Sequence, residues 1–164
     1  MLACGLGVYF FFGAAAPRNA PIPAVIRVTA DDRFELYLNG TQVGAGDDWH
    51  RTYYFNVNLR PGPNLIAVKG ENLLLEAGLL FDMQAGKTRV VSGPQWKTSV
   101  REVPGWNQLG FDDSNWSSPI DYGPHGVEPW GRLSQFPSDT TATWIWGEQV
   151  VGVVYFRHVF QAGK

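Results

Sequence analysis

The chain has 164 residues, a formal charge of −2 and one cysteine, Cys4. That length suits one domain burying roughly two-thirds of its unfolded surface, and a lone cysteine forms no internal disulfide. Without any cluster of Lys or Arg, nucleic acid and anionic membrane are excluded as principal partners, and the 19 glycines, 11 prolines and seven tryptophans read as short strands punctuated by turns.

In chain order, residues 2–12 form an apolar run followed by Ala14-Ala15-Ala16-Pro17. No positive segment precedes the run, as a secretory signal requires, and it is too short to span a bilayer. Cys4 also lacks the hydrophobic run that precedes a lipidated cysteine. Residues 1–16 are therefore expected to be an apolar N-terminal strand or arm, with Val8-Tyr9-Phe10-Phe11-Phe12 as the strand.

Strands are expected at 24–29 and 33–38, with a short return at 41–44. Phe34, Leu36 and Leu38 alternate with Arg33, Glu35 and Tyr37, the period-2 pattern of a strand buried on one face. Asn39-Gly40 then supplies a pair that tolerates positive φ at both centres of a two-residue turn. Tyr53, Phe55 and Val57 alternate within 50–57, and Arg60-Pro61-Gly62-Pro63-Asn64 is a turn. Strands follow at 65–70 and 78–84, with a hairpin tip at 85–87 returning through 88–92, and another strand at 96–100. Only 72–76 hints at helix. Residues 104–137 read as loop, and strands within 143–146 and 150–160 close the chain. About ten short strands at such spacing specify an all-β, antiparallel β-sandwich of jelly-roll type, a single domain over 1–164.

Six local motifs occur in order. They are Ala30-Asp31-Asp32 leading to Leu36-Tyr37-Leu38-Asn39-Gly40, then Asp48-Trp49, then Leu59 through Gly62, Asn64 and Ile66-Ala67-Val68 to Asn72. Trp96-Lys97 follows, then Gly105-Trp106 with Phe111-Asp112-Asp113-Ser114-Asn115-Trp116, then Pro129-Trp130-Gly131. This series resembles the galactose-binding-like β-sandwich modules attached to bacterial α-L-rhamnosidases and other glycoside hydrolases. The resemblance implies a non-catalytic carbohydrate-binding module, secreted or at the cell surface, with sugar held by loops at one end of the sandwich.

For that role the candidates are Asp48, Trp49, His50, Asn72, His125, Trp130 and Arg132. An aromatic ring stacks on the apolar face of a pyranose while carboxylate and amide groups take its hydroxyls. Trp49 and Trp130 are the expected exposed platforms, whereas Trp96, Trp106, Trp116, Trp144 and Trp146 are expected in the core. Asp31, Asp32, Asp112 and Asp113 are the candidate metal ligands, since Ca²⁺ takes loop carboxylates and related modules often carry it. Turn capping is the alternative use of the same pairs. A structural Ca²⁺ is thus the one candidate cofactor.

No nucleophile elbow, zinc-protease motif or phosphate loop is present. A glycosidase needs two carboxylates facing each other about 5–10 Å apart, and Glu71, Glu76, Asp82 and Glu128 lie in no recognisable catalytic context. The chain is therefore expected not to be an enzyme. The rival expectation is an extracellular fibre or sheath subunit, self-assembling through Val8, Tyr9, Phe10, Phe11, Phe12, Tyr155 and Phe156. Exposed apolar edge strands pair with other chains, which is the physical basis of that rival. A module propping a neighbouring domain of the same chain is the third expectation. Asn39-Gly40-Thr41 and Asn115-Trp116-Ser117 match the N-glycosylation pattern.

Overall fold

The computed structural model describes residues 20–163, and the apolar segment at 8–12 lies outside them. The strands are β1 (Ile22–Asp31), β2 (Arg33–Leu38), β3 (Thr41–Gly46), β4 (Tyr53–Leu59), β5 (Gly62–Asn72), β6 (Gly78–Ala85), β7 (Thr88–Val91), β8 (Lys97–Ser99), β9 (Ile120–Pro124), β10 (Thr143–Trp146) and β11 (Gly152–Ala162). They form two antiparallel sheets. Sheet A runs β4-β1-β6-β10-β9 with β7 beside β6, and sheet B runs β3-β2-β5-β11-β8. The sandwich expected from the strand spacing is present.

Alternation builds the layer between the sheets. Ile26 and Val28 of β1, Leu79, Phe81 and Met83 of β6 and Ile145 of β10 face Leu36 of β2, Ile66 and Val68 of β5 and Phe156 of β11. All of them are fully buried. The central strands break the simple alternation, because Leu65 and Ala67 on the opposite face of β5 are buried as well. Antiparallel sheets usually leave one face to water. Here long loops cover part of both outer faces, one over sheet B with Trp106 and Trp116, the other over sheet A with Trp130, Leu133 and Phe136.

The β2–β3 turn forms as its residues require, with φ of 52° at Asn39 and 86° at Gly40. The Asn39 side chain is engaged at both ends, accepting from Leu65 N at 2.8 Å and donating to Asn64 Oδ1 at 2.9 Å.

Three expectations change. Residues 73–77 form an irregular loop, and no helix occurs among the described residues, so none is long and apolar enough to cross a membrane. Within the long stretch read as loop, β9 forms because Tyr122 packs against the covered faces and β10 supplies a partner. Tyr155 and Phe156, expected among the assembly residues, lie in β11, which pairs with β5 on one side and β8 on the other. Both are buried, so neither belongs to an open edge.

Candidate functional site

The end of the sandwich where β3 crosses to β4 carries an ordered loop, 47–52. Thr29 anchors it, its hydroxyl 3.3 Å from the carbonyl of Asp48 and 3.1 Å from that of Trp49. Asp48 closes a local turn by accepting from the backbone N–H of His50 at 3.0 Å, with His50 Nδ1 3.1 Å away. The hydroxyl of Tyr53 accepts from Asp47 N–H at 3.0 Å and sits 3.1 Å from the Asp47 carboxylate. The Trp49 and His50 rings stack 3.7 Å apart at 24°, and Trp49 also packs against the aromatic cluster over sheet A. This ridge is partly open, while Asp48 and His50 themselves are exposed.

On the sheet B side of the same loop lies a groove of about 580 Å³. Its floor is set by strand register. Pairing of β2 with β5 puts Arg33 opposite Glu71 and Glu35 opposite Lys69, all on the outward face. Arg33 pairs with Glu71 at 3.5 Å and Lys69 with Glu35 at 3.3 Å. Arg51, above the Tyr53 ring at 5.0 Å, and Asp47 complete the rim. The Tyr37 hydroxyl donates to Glu35 at 2.5 Å. That bond, with Lys69, holds the Glu35 carboxyl below its usual range against the effect of burial. Burial and the same carboxylate push Tyr37 up to about 12. The groove thus presents three cations and three anions, donors and acceptors without net charge.

Gly46 makes its wall. A Cβ there would lie 2.4 Å from the Phe34 ring and 2.5 Å from the Tyr53 ring, so only glycine lets both rings approach β3.

The sequence did not single out Arg33, Glu35 or Lys69 as site residues, and offered Glu71 only as a carboxylate without catalytic context. The available signal was their outward parity in two neighbouring strands, but reading it required knowing that β2 and β5 pair.

The other expected site residues have structural work. Asn72 is buried and donates its amide to the carbonyls of Leu74 and Val150, joining two loops. His125 is buried, its Nε2 accepting from Leu133 N–H at 2.8 Å, and burial together with nearby Arg132 pushes its pKa down. Arg132 is exposed in the same loop. Trp130 corrects the expectation of an exposed platform. It is 6% exposed, stacked on Trp144 at 4.6 Å, and donates Nε1–H to Asp31 at 3.1 Å. The Pro-Gly surroundings that suggested a free loop instead fold this ring onto the outer face of sheet A.

Asp31, Asp32, Asp112 and Asp113 each hold a protein partner. Burial pushes Asp31 up to about 6, opposed by the Trp130 hydrogen bond and reinforced by Asp32 and Glu76. Asp32 accepts from Leu73 N–H at 2.8 Å, Asp112 from Ser114 N–H at 3.0 Å, and Asp113 pairs with Arg157 at 2.8 Å. Among the described residues no three His, Cys, Asp or Glu side chains converge as a metal-binding group.

No protein-family model and no curated protein matches the chain. Solved structures do. A lectin from Pleurotus ostreatus in complex with GalNAc is similar at a TM-score of 0.63 and 28% identity, over 71% of this chain and 36% of that one. The apo form of Pleurotus ostreatus lectin is similar at 0.64 and 19% identity, over 91% and 65% respectively. A Streptomyces avermitilis α-L-rhamnosidase complexed with L-rhamnose is similar at 0.60 and 18% identity, over 93% and 23%. The chain therefore spans less than two-thirds of each of these relatives. With its two antiparallel sheets and these neighbours, it has the fold of a galactose-binding-like β-sandwich module.

Proposed function

We propose that this chain is a non-catalytic carbohydrate-binding module acting outside the cell, with a neutral sugar held in the groove beside loop 47–52. The observation that carries the reading is the charge-balanced groove next to an ordered aromatic loop, on a fold similar to a lectin. Glu35 and Glu71 accept from sugar hydroxyls, and Arg33, Lys69 and Arg51 donate to hydroxyl and ring oxygens. The Tyr53 ring, which lines the groove, supplies apolar contact. Affinity is modest, because each captured hydroxyl must first be desolvated and each ion pair in the groove partly opened.

A glycosidase general acid needs a raised pKa. Glu35 is held low, and the carboxyl that is raised, Asp31, is buried against Trp130 and does not line the groove. That division supports binding without catalysis.

Calorimetric titration with GalNAc and L-rhamnose, alongside a glycan array, tests the reading. Wild type should give saturable heat with at least one neutral sugar. Lys69→Met and Glu35→Gln should each weaken it by about tenfold, the worth of one charge-assisted hydrogen bond. No binding by wild type to any arrayed glycan sinks the proposal, and turnover of aryl glycosides sinks its non-catalytic part.

A further inference from the structure

We propose a second saccharide site, in a cleft at the β8 edge of sheet B, across the sheet from the groove. The inference rests on the carbohydrate-binding reading above and extends it from one site to two. The cleft holds about 310 Å³, enough for one or two sugar rings.

Three segments wall it: the chain around and after β8, the loop over sheet B at Asn115 to Ser117, and the β10–β11 turn at Gly147 and Glu148. These walls are preformed. Thr98 and Ser117 exchange backbone hydrogen bonds of 2.8 and 3.1 Å, tying β8 to the loop. Arg157 secures the same loop through the carbonyls of Trp106, Gln108 and Phe111 and the carboxylate of Asp113. A ligand entering here meets walls that need no ordering, which lowers the cost of binding.

Four of the cleft's polar side chains, Arg101, Asn115, Ser117 and Glu148, are uncommitted among the described residues, while the Thr98 and Ser99 hydroxyls bond backbone carbonyls of the walls themselves. Arg101 and Glu148 stand on different walls, and among the described residues neither takes part in an ion pair. The Asn115 amide and Ser117 hydroxyl add a donor and an acceptor each. Val103, 38% exposed, and the edge of Trp116 form an apolar strip. Opposite charges on facing walls leave no net preference for an anion or a cation. A carboxylate accepting from adjacent hydroxyls, a guanidinium donating to ring and hydroxyl oxygens, and an apolar strip for C–H groups together fit a neutral pyranose. Two sites on one rigid sheet make the module bivalent, able to cross-link glycan chains or gain avidity on a dense surface.

Amide-resolved NMR titration of the full chain with GalNAc, L-rhamnose and, separately, L-glutamate tests this. The amides of Val103, Asn115, Ser117 and Glu148 should shift with a neutral sugar. The Arg101→Ala/Glu148→Gln double variant should weaken that response by about tenfold or more, while Glu35, Lys69 and Glu71 respond as in wild type. Lys69→Met should do the converse. Sugar-induced shifts confined to the groove overturn the second site and leave the first standing. A cleft response undiminished in the double variant, or one to glutamate and not to sugar, also overturns it. Silence at both patches removes the carbohydrate reading together with this extension.

Discussion

Two long loops roof the two sheets, and each is pinned by one buried charged side chain of opposite sign. Over sheet B, Arg157 is fully buried and spends its guanidinium on Asp113, three carbonyls and the faces of Phe111 and Trp116. Over sheet A, Asp82 is equally buried, and one oxygen accepts from Arg89 at 2.7 Å and Thr140 at 2.5 Å. Its other oxygen has no partner among the described residues. A guanidinium carries five donors in a fork and can gather several carbonyls of one loop, whereas a carboxylate can only collect donors brought to it. The loop over sheet B is therefore held by a central polar hub. The loop over sheet A depends more on its aromatic stack, Trp130 upon Trp144, and on the Trp130–Asp31 bond.

Removing the hub should have the largest effect on the fold. Arg157→Met keeps the apolar stem but leaves Asp113 and three carbonyls without their donor. Breaking such a buried network costs about 3–5 kcal/mol, read by urea unfolding. Local exposure should appear at Trp106 and Trp116 while the stack over sheet A stays intact. A loss below about 1 kcal/mol would mean that aromatic packing alone holds this loop too.

A smaller effect is expected over sheet A. Trp130→Phe preserves a ring on Trp144 but removes the N–H given to Asp31. The cost should be roughly 1–2 kcal/mol, the worth of a hydrogen bond to a buried carboxyl plus some lost contact. Protease sensitivity of segment 125–142 should rise, while the groove's response to sugar stays unchanged. If Trp130→Phe destabilises as much as Arg157→Met, the two loops are anchored alike.

The same contrast explains what could be read from the sequence. Strand parity was legible wherever one face meets the inner core, as in Phe34, Leu36 and Leu38, and Asn39-Gly40 announced its own turn. Roofing was not legible. Whether a loop containing Pro129-Trp130-Gly131 projects into water or folds back on a sheet depends on a partner ring 14 residues away, Trp144, and on an aspartate, Asp31, from a different strand. The groove was hidden for a related reason, since Glu35 and Lys69 are separated by 34 positions and meet only through β-pairing. Loop 47–52 was visible because its polar and aromatic residues are contiguous and its turn is closed locally by Asp48.

The smallest and most specific prediction concerns Asp31, where the roof of sheet A meets the end of the sandwich that carries the groove. Its folded-state pKa is pushed up to about 6 from an ordinary 3.8, so the folded chain holds this proton more tightly than the unfolded chain does. The stabilising contribution is therefore full below pH 3.8 and is lost as pH rises through about 6. At neutral pH the ionised carboxylate, beside Asp32 and Glu76, is a net cost that the Trp130 hydrogen bond only partly offsets. Asp31→Asn retains an oxygen for Trp130 Nε1–H and carries no charge. It should stabilise the protein by roughly 1 kcal/mol at pH 7, less than the whole shift implies because water still reaches part of the group. The advantage should shrink as pH falls towards 4. Parallel pH profiles for wild type and Asp31→Asn would place the loss of stability with rising pH on other groups and leave the Trp130 stack as this roof's main support.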